Sequence, residues 1–126
     1  MSFDWAGYLD LAGELCAAAG PASGDEARHR STISRAYYAA FHRARAHLRD
    51  RDGDKGIPKG AAAHSYVRWK FAGSADRRRT RIGMSLNHLR QERNRADYDE
   101  QMPGLHAKSA VALKLATQVI EDLKRL

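Results

Sequence analysis

The sequence predicts an all-α fold, an up-and-down bundle of four to five helices. Apolar residues recur with the 3.6-residue spacing of helices, and no segment alternates apolar and polar residues as strands do. Glycine and proline residues divide this pattern into five helical segments. A chain of 126 residues is long enough for one core and too short for two. We therefore expect one domain over residues 1–126.

The first two helices are predicted over Trp5–Ala18 and Asp25–Asp50. Asp4 suits the N-cap of the first helix, and Gly20-Pro21 ends it. One face of this helix carries Trp5, Leu9, Ala12 and Cys16. The second helix exceeds six turns, and its predicted core stripe consists of Ile33, Tyr37, Ala40, Ala44 and Leu48.

Three further helices follow a loop at 51–60, which holds three glycines and a proline. They are predicted over Ala61–Phe71, Ala75–Tyr98 and Leu105–Leu126. The third helix aligns His64, Val67 and Phe71 on one face. Gly73-Ser74 and Met102-Pro103-Gly104 separate the helices, and the fifth helix has an apolar face made of Ala112, Leu115, Val119, Leu123 and Leu126.

The fourth helix ends with polar residues where its spacing calls for apolar ones. Ile82, Leu86 and Leu89 define its core stripe, and the same spacing then reaches Arg93. A guanidinium at that position must be paired, hydrated in a cleft or placed at an interface, because a lone buried charge is expensive. Arg93 is therefore a candidate functional residue, and the alternative is a structural ion pair with Asp97 four residues later.

The formal charge of +7 and the pI near 9.9 favour polyanionic partners. The excess is local, because residues 77–95 contain seven arginines and one carboxylate, Glu92. Arginine suits phosphate contacts and base stacking. We assign to RNA binding Arg77, Arg78, Arg79, Arg90 and Arg95; the alternative is a solvated basic face.

Composition also predicts the environment and the absence of a cofactor. Cys16 is the only cysteine, so no intrachain disulfide can form, and a reducing compartment is the simplest expectation for the protein. The start of the sequence lacks a signal-peptide pattern, and no apolar run reaches the length of a membrane span. We expect a cytoplasmic protein without membrane association. Neither His42 nor His47 has a histidine partner at i+4, so a helical two-histidine metal site is not supported. The spacing of His88 and Glu92 indicates a hydrogen bond on the surface of the helix. We therefore predict no metal or other cofactor.

Two segments together resemble a known family. Residues 34–42 read SRAYYAAFH on the second helix, and residues 93–98 read RNRADY at the end of the fourth. In this order, with a histidine-bearing helix between them, the two motifs resemble the HEPN superfamily of small helical prokaryotic domains. The resemblance implies a helical bundle that forms a homodimer whose paired motifs line one cleft. Many members are metal-independent ribonucleases of toxin–antitoxin or antiviral defence systems, often beside a nucleotidyltransferase-type partner protein.

The resemblance carries over to the site only in part. The catalytic pattern of the family is an arginine, a polar residue, a few further residues and a histidine. Arg93 and Asn94 match its start, whereas Tyr98 occupies the place of the histidine. A phenol with a pKa near 10 is a poor base at neutral pH. The candidate catalytic residues are Arg93, Asn94, Asp97 and Tyr98, and Tyr38 and His64 are candidate contributors from the preceding helices.

Two classes of function follow. In the first, the protein cleaves or binds RNA without a metal: Arg93 stabilises phosphate charge, Asn94 orients the substrate, and Asp97 with Tyr98 handles protons or positions Arg93. The second is a non-catalytic helical module that binds a nucleotide or a nucleotidyltransferase-type partner. His64 has a similar alternative, as a histidine satisfied within the core, and Tyr37, Tyr38 and Phe41 are expected first in core or dimer packing and second as a platform for stacked bases.

Overall fold

The computed structural model describes residues 3–20 and 23–126. Within them the chain forms five α-helices and a short 3-10 turn at Ser23–Asp25. The helices are α1 (Ala6–Ala18), α2 (Glu26–Asp50), α3 (Ala62–Ala72), α4 (Arg77–Tyr98) and α5 (Leu105–Lys124). The all-α prediction is confirmed, and each helix begins and ends within two residues of its predicted bounds. Pro21, half of the predicted stop of α1, lies outside the described residues.

The central helix is α2, which packs against α1, α4 and α5. Its core face is lined with small residues, so neighbouring helices approach closely, and its predicted stripe of Ile33, Tyr37, Ala40, Ala44 and Leu48 is buried as expected. Ile82, Leu86 and Leu89 of α4 are buried against the same core. The helical spacing in the sequence therefore identified the core face of both long helices.

The short helix α3 packs mainly on α4. Gly83 makes this possible, because a Cβ there would lie 2.5 Å from the backbone nitrogen of Ala72. On its other side, α4 is joined to α5 by Asp122, whose carboxylate accepts hydrogen bonds from Arg81 Nε and Nη2 at 2.9 and 2.7 Å. The two contacts fix α4 between its neighbours.

One expectation about histidines was wrong, and a second histidine is more buried than its position on the helix indicates. His42 lies nearly opposite Ile33 on α2, yet its ring is half-buried and stacks on Trp5 with centroids 3.5 Å apart. Trp5, the N-cap residue of α1, supplies this cover, which the periodicity of α2 alone does not reveal. His88 does not bond Glu92; instead Glu92 is buried and its Oε1 accepts from Arg95 Nη1 at 2.7 Å.

Candidate functional site

Arg93 is largely buried, as its place on the core stripe of α4 predicts. Its side chain is 12% exposed, and its guanidinium lies over two rings of α2, 5.7 Å from the centroid of Tyr37 and 5.2 Å from that of Tyr38. The negative faces of these rings offset part of the cost of burying the cation. The adjacent tyrosines of the SRAYYAAFH segment thus form one wall of the site.

Asp97 lies beside Arg93 but satisfies it only in part. The Arg93 Nη1 to Asp97 Oδ2 distance is 3.5 Å, which is long for a charge-assisted hydrogen bond. Arg93 Nε is buried and has no hydrogen-bond partner among the described residues. The expected ion pair is present, and it leaves the Nε–H donor of Arg93 buried and without an acceptor in the part of the chain that the structure describes.

The helix α3 brings a second set of polar groups to the same place. Arg90 Nη1 donates to Ser65 Oγ at 3.2 Å. The neighbouring His64 packs on Phe41 with centroids 4.2 Å apart and contacts the same tyrosine pair as Arg93. Because α3 packs on α4, side chains separated by 25 residues in the sequence come together, and we refer to the place where His64, Ser65, Arg90 and Arg93 meet as the cleft.

A buried hydrogen bond fixes the orientation of His64. Tyr37 is 1% exposed, and its hydroxyl bonds His64 Nδ1 and no other described group. Burial raises the pKa of Tyr37 well above its ordinary value, so the phenol keeps its proton and donates it to Nδ1. We therefore assign the proton of the neutral imidazole to Nε2.

Burial, followed by the charges of Arg90 and Arg93, lowers the pKa of His64. The imidazole is then neutral at pH 7, and its Nε2–H has no partner in the described part of the chain. His64, Arg90 and Arg93 together present hydrogen-bond donors, and Asp97 is the carboxylate paired with Arg93. Such an arrangement suits an anion.

Arg68 extends this cleft along α3. Its Nη1 donates to Asn87 Oδ1 of α4 at 2.5 Å, and its guanidinium lies 4.7 Å from the ring centroid of Trp69. Arg68 Nε is buried without a partner among the described residues. Sequence reasoning missed Arg68, although its distance of four residues from His64 places both on one face of a helix.

The arginines at the start of α4 lie elsewhere. Arg78 and Arg93 are fifteen residues apart on one helix, which corresponds to about 22 Å. Arg79 makes a two-pronged ion pair with Asp52 at 2.8 and 2.9 Å, and Arg78 donates to the backbone oxygen of Arg125 at 3.2 Å. Arg77 is exposed. The predicted RNA-binding arginines thus form two separate groups.

The remaining motif residues face outward. Tyr98 is 78% exposed, and Asn94 and Arg95 are exposed as well. Five helical residues rotate Tyr98 by about 140° from Arg93, so the two side chains point to different sides of α4. One chain does not bring Tyr98 and Arg93 together. The end of α4 is held by Arg30 of α2, whose Nη1 donates to the backbone oxygens of Ala96 and Asp99 at 2.8 and 2.6 Å.

A pocket of about 680 Å³ lies away from this cleft, where the α4–α5 loop meets the start of α2. His29 and His106 line it, but the ring nitrogens of His29 already bond Ser109 Oγ and the backbone oxygen of Gly20, both at 2.7 Å. In ranges 3–20 and 23–126, no three His, Cys, Asp or Glu side chains are placed to hold a metal ion. Among the described helices, none has both the length and the apolar composition that crossing a membrane requires.

Comparison with known proteins identifies the family. The model of the HEPN domain matches residues 12–126, which covers nearly the whole chain and both motif segments. No curated protein and no solved structure matches the sequence. The HEPN domain is an all-α fold, in agreement with the architecture described above. The chain therefore belongs to the HEPN domain family.

Proposed function

We propose that this HEPN-domain protein acts on RNA and binds a backbone phosphate in the cleft between α3 and α4. The observation that carries the proposal is the convergence of Arg90, Arg93 and His64, with Arg93 Nε buried and unsatisfied among the described residues. A phosphate oxygen can accept from the part of the Arg93 guanidinium that remains exposed, as well as from Arg90 and His64. A charge-assisted bond to phosphate is stronger than one between neutral groups.

The charge of the surrounding surface supports a polyanion over a small anion. The chain carries a formal charge of +7, and a second basic group with Arg77 and Arg78 lies about 22 Å along α4 from Arg93. An RNA strand spans that distance, whereas a mononucleotide does not. In this proposal the cleft binds one phosphate, and the strand passes around α4 to reach Arg77, which lies about 160° from Arg93 around the helix axis.

Cleavage is the stronger form of the proposal. The RNA 2′-oxygen attacks the adjacent phosphorus and the bond from phosphorus to the 5′-oxygen breaks, which leaves a 2′,3′-cyclic phosphate and a 5′-hydroxyl. Arg90 and Arg93 stabilise the added negative charge, so no metal is required. Because Tyr37 donates to Nδ1 of His64 and Nε2 carries the proton, His64 has no free acceptor. Asp97 is therefore the group in the cleft that accepts the 2′-hydroxyl proton, and the 5′-oxygen takes its proton from water. In this proposal the exposed Asn94 orients the strand outside the cleft.

The outward position of Tyr98 favours a second candidate. If Tyr98 and the Arg93–Asp97 pair have no part in chemistry, the domain is a non-catalytic module that binds a nucleotide or a nucleotidyltransferase-type partner. Both candidates fit a component of a toxin–antitoxin or antiviral defence system, and the family resemblance is the support for that role. Growth arrest on induced expression, relieved by Arg93→Ala, would support a toxin.

The first experiment measures RNA binding and cleavage in EDTA. We expect wild-type protein to bind single-stranded RNA with an affinity that falls steeply with salt, because neutralised phosphates release counterions. Arg93→Ala should weaken binding by at least tenfold and abolish any release of 2′,3′-cyclic phosphate ends. Arg49→Ala is the matched control, since Arg49 is an exposed arginine whose only described side-chain partner is the adjacent Asp50. Equal affinities for wild type and Arg93→Ala would refute the phosphate cleft.

A second measurement separates the two basic groups. Arg77→Ala should leave cleavage intact and reduce the slope of log affinity against log salt by about one, as expected for one phosphate contact. An unchanged slope would remove Arg77 from the RNA interface. Binding without cleavage by the wild type would support the RNA-binding form of the proposal without its catalytic step, whereas no RNA binding at all would favour the non-catalytic module that binds a nucleotide or a partner protein.

A further inference from the structure

Trp69 is an exposed aromatic side chain close to the phosphate cleft. It lies on α3 and is 63% exposed, although tryptophan is largely buried in most proteins. Ser65, the partner of Arg90, precedes it by one helical turn, or about 6 Å along the axis. Trp69 therefore lies on the turn of α3 next to Ser65, and this rise is close to the length of one nucleotide in an extended strand.

Arg68 holds this ring in place. Its guanidinium lies 4.7 Å from the indole centroid, and Asn87 anchors the guanidinium from α4. The contact between cation and ring stabilises one orientation of the indole and covers part of one face. The remaining exposed surface presents a π-face next to a buried cation, which is the chemistry that binds nucleobases by stacking in proteins that hold single strands.

From these contacts we propose that Trp69 is a stacking platform for an unpaired base of the RNA whose phosphate lies at Arg90 and Arg93. The inference rests on the proposed function and adds a preference for single-stranded segments. Arg68, Arg90 and Arg93 lie at the adjacent cleft, and this positive charge favours RNA over a partner protein whose surface has few acidic residues. Stacking has no strict sequence requirement, because every base has a π-face.

A second copy of the chain is the competing occupant of this surface. Met84 is 67% exposed and lies one turn before Asn87 on α4, so two large apolar side chains belong to this part of the α3–α4 pair. A dimer that buried Trp69 would depend on it for assembly. The oligomeric state of a Trp69 variant therefore distinguishes the two occupants.

The chain contains two tryptophans, Trp5 and Trp69, which allows a direct optical test. In a Trp5→Phe background, fluorescence reports on Trp69 alone. Titration with a single-stranded oligoribonucleotide should quench it at least twofold, and an abasic oligonucleotide of equal length and charge should not. Circular dichroism checks that the Trp5→Phe protein keeps its helical fold.

Affinity provides the second readout. With labelled RNA, Trp69→Ala should weaken binding of base-bearing RNA by about five- to 150-fold, and Trp69→Phe by less. Neither change should alter binding of the abasic oligonucleotide, whereas Arg93→Ala should weaken binding of both. Equal affinities for abasic and base-bearing RNA, or a Trp69→Ala protein that changes from dimer to monomer, would overturn the stacking platform while leaving the phosphate cleft intact. If neither the base-bearing RNA nor the abasic oligonucleotide binds, both proposals are overturned.

Discussion

Gly83 controls how closely α3 approaches α4, and Gly83→Ala tests whether that approach builds the cleft. The new Cβ would lie 2.5 Å from the nitrogen of Ala72 and 2.8 Å from its Cα and Cβ. Ordinary contact begins near 3.4 Å, so the two helices must separate by about 0.9 Å. The opposing atoms belong largely to the backbone, which cannot rotate away as the end of a flexible side chain can.

Two opposing effects set the change in stability. Alanine favours the helix over glycine by about 1 kcal/mol, whereas overpacking costs about 1 to 3 kcal/mol. The backbone contact puts this case at the upper end, so we expect a net loss of about 2 kcal/mol in the free energy of unfolding. For a domain of this size that corresponds to a fall of about 8 °C in Tm.

The separation should also weaken RNA binding. The Ser65–Arg90 and Arg68–Asn87 hydrogen bonds both cross from α3 to α4, and the Arg68–Asn87 bond lies one turn from Gly83. A shift of about 0.9 Å takes both beyond good hydrogen-bond geometry. RNA affinity of Gly83→Ala should therefore fall even at temperatures where the protein remains folded.

Calorimetry and RNA titration at 20 °C measure the two effects. Gly13→Ala is the matched control, because Gly13 is also inside a helix but a Cβ there meets no atom within 4 Å. It should raise stability by about 0.5 to 1 kcal/mol and leave RNA binding unchanged. If Gly83→Ala stabilises the protein as Gly13→Ala does, the close approach of α3 is not required and the reasoning fails.

Three further predictions follow from the same structure. Asp122→Asn should cost about 1 to 2 kcal/mol of unfolding free energy, because it weakens the charge-assisted hydrogen bonds that the buried Asp122 carboxylate accepts from the half-exposed Arg81, while Glu121→Gln on the exposed side should change it little; equal effects in urea titrations would contradict this. Burial, with help from nearby positive charge, lowers the pKa of His42 to about 4, so the unfolded state binds a proton that the native state does not between pH 6.5 and 4. As the pH is lowered through that range, His42 should therefore reduce the free energy of unfolding by about 1 to 2 kcal/mol, after discounting for its partial exposure. The substitution His42→Phe, which keeps the stacking on Trp5, should make this decrease smaller, and thermal melts across pH would test it. Finally, light scattering should give the mass of a homodimer at micromolar concentration, and a monomer mass would count against a site shared between copies.

The sequence by itself determined the helices and their buried faces. Periodicity is a local property, since the rotation of about 100° per residue places each side chain on the core or solvent side whatever the partner helix is. The same rule identified Arg93 as a charge on the core stripe of α4, and the structure buries it there. The two motif segments were sufficient to indicate the HEPN domain, which the family model confirms.

Only the tertiary structure decided which groups share a site. The spacing of residues along α3 does not predict that His64 bonds Tyr37, that Ser65 bonds Arg90 or that Arg68 bonds Asn87. These hydrogen bonds join different helices, and they depend on how the helices pack.

The same reason explains the differences from the predicted site. Arg79 is held by Asp52 from the α2–α3 loop, and Trp5 covers His42 from the N-cap of α1. Tyr98 follows Arg93 closely in the sequence but points to another side of the same helix. Within one helix, rotation about the helix axis determines which side each side chain faces. Which side chains meet in a cleft depends instead on which helices pack side by side.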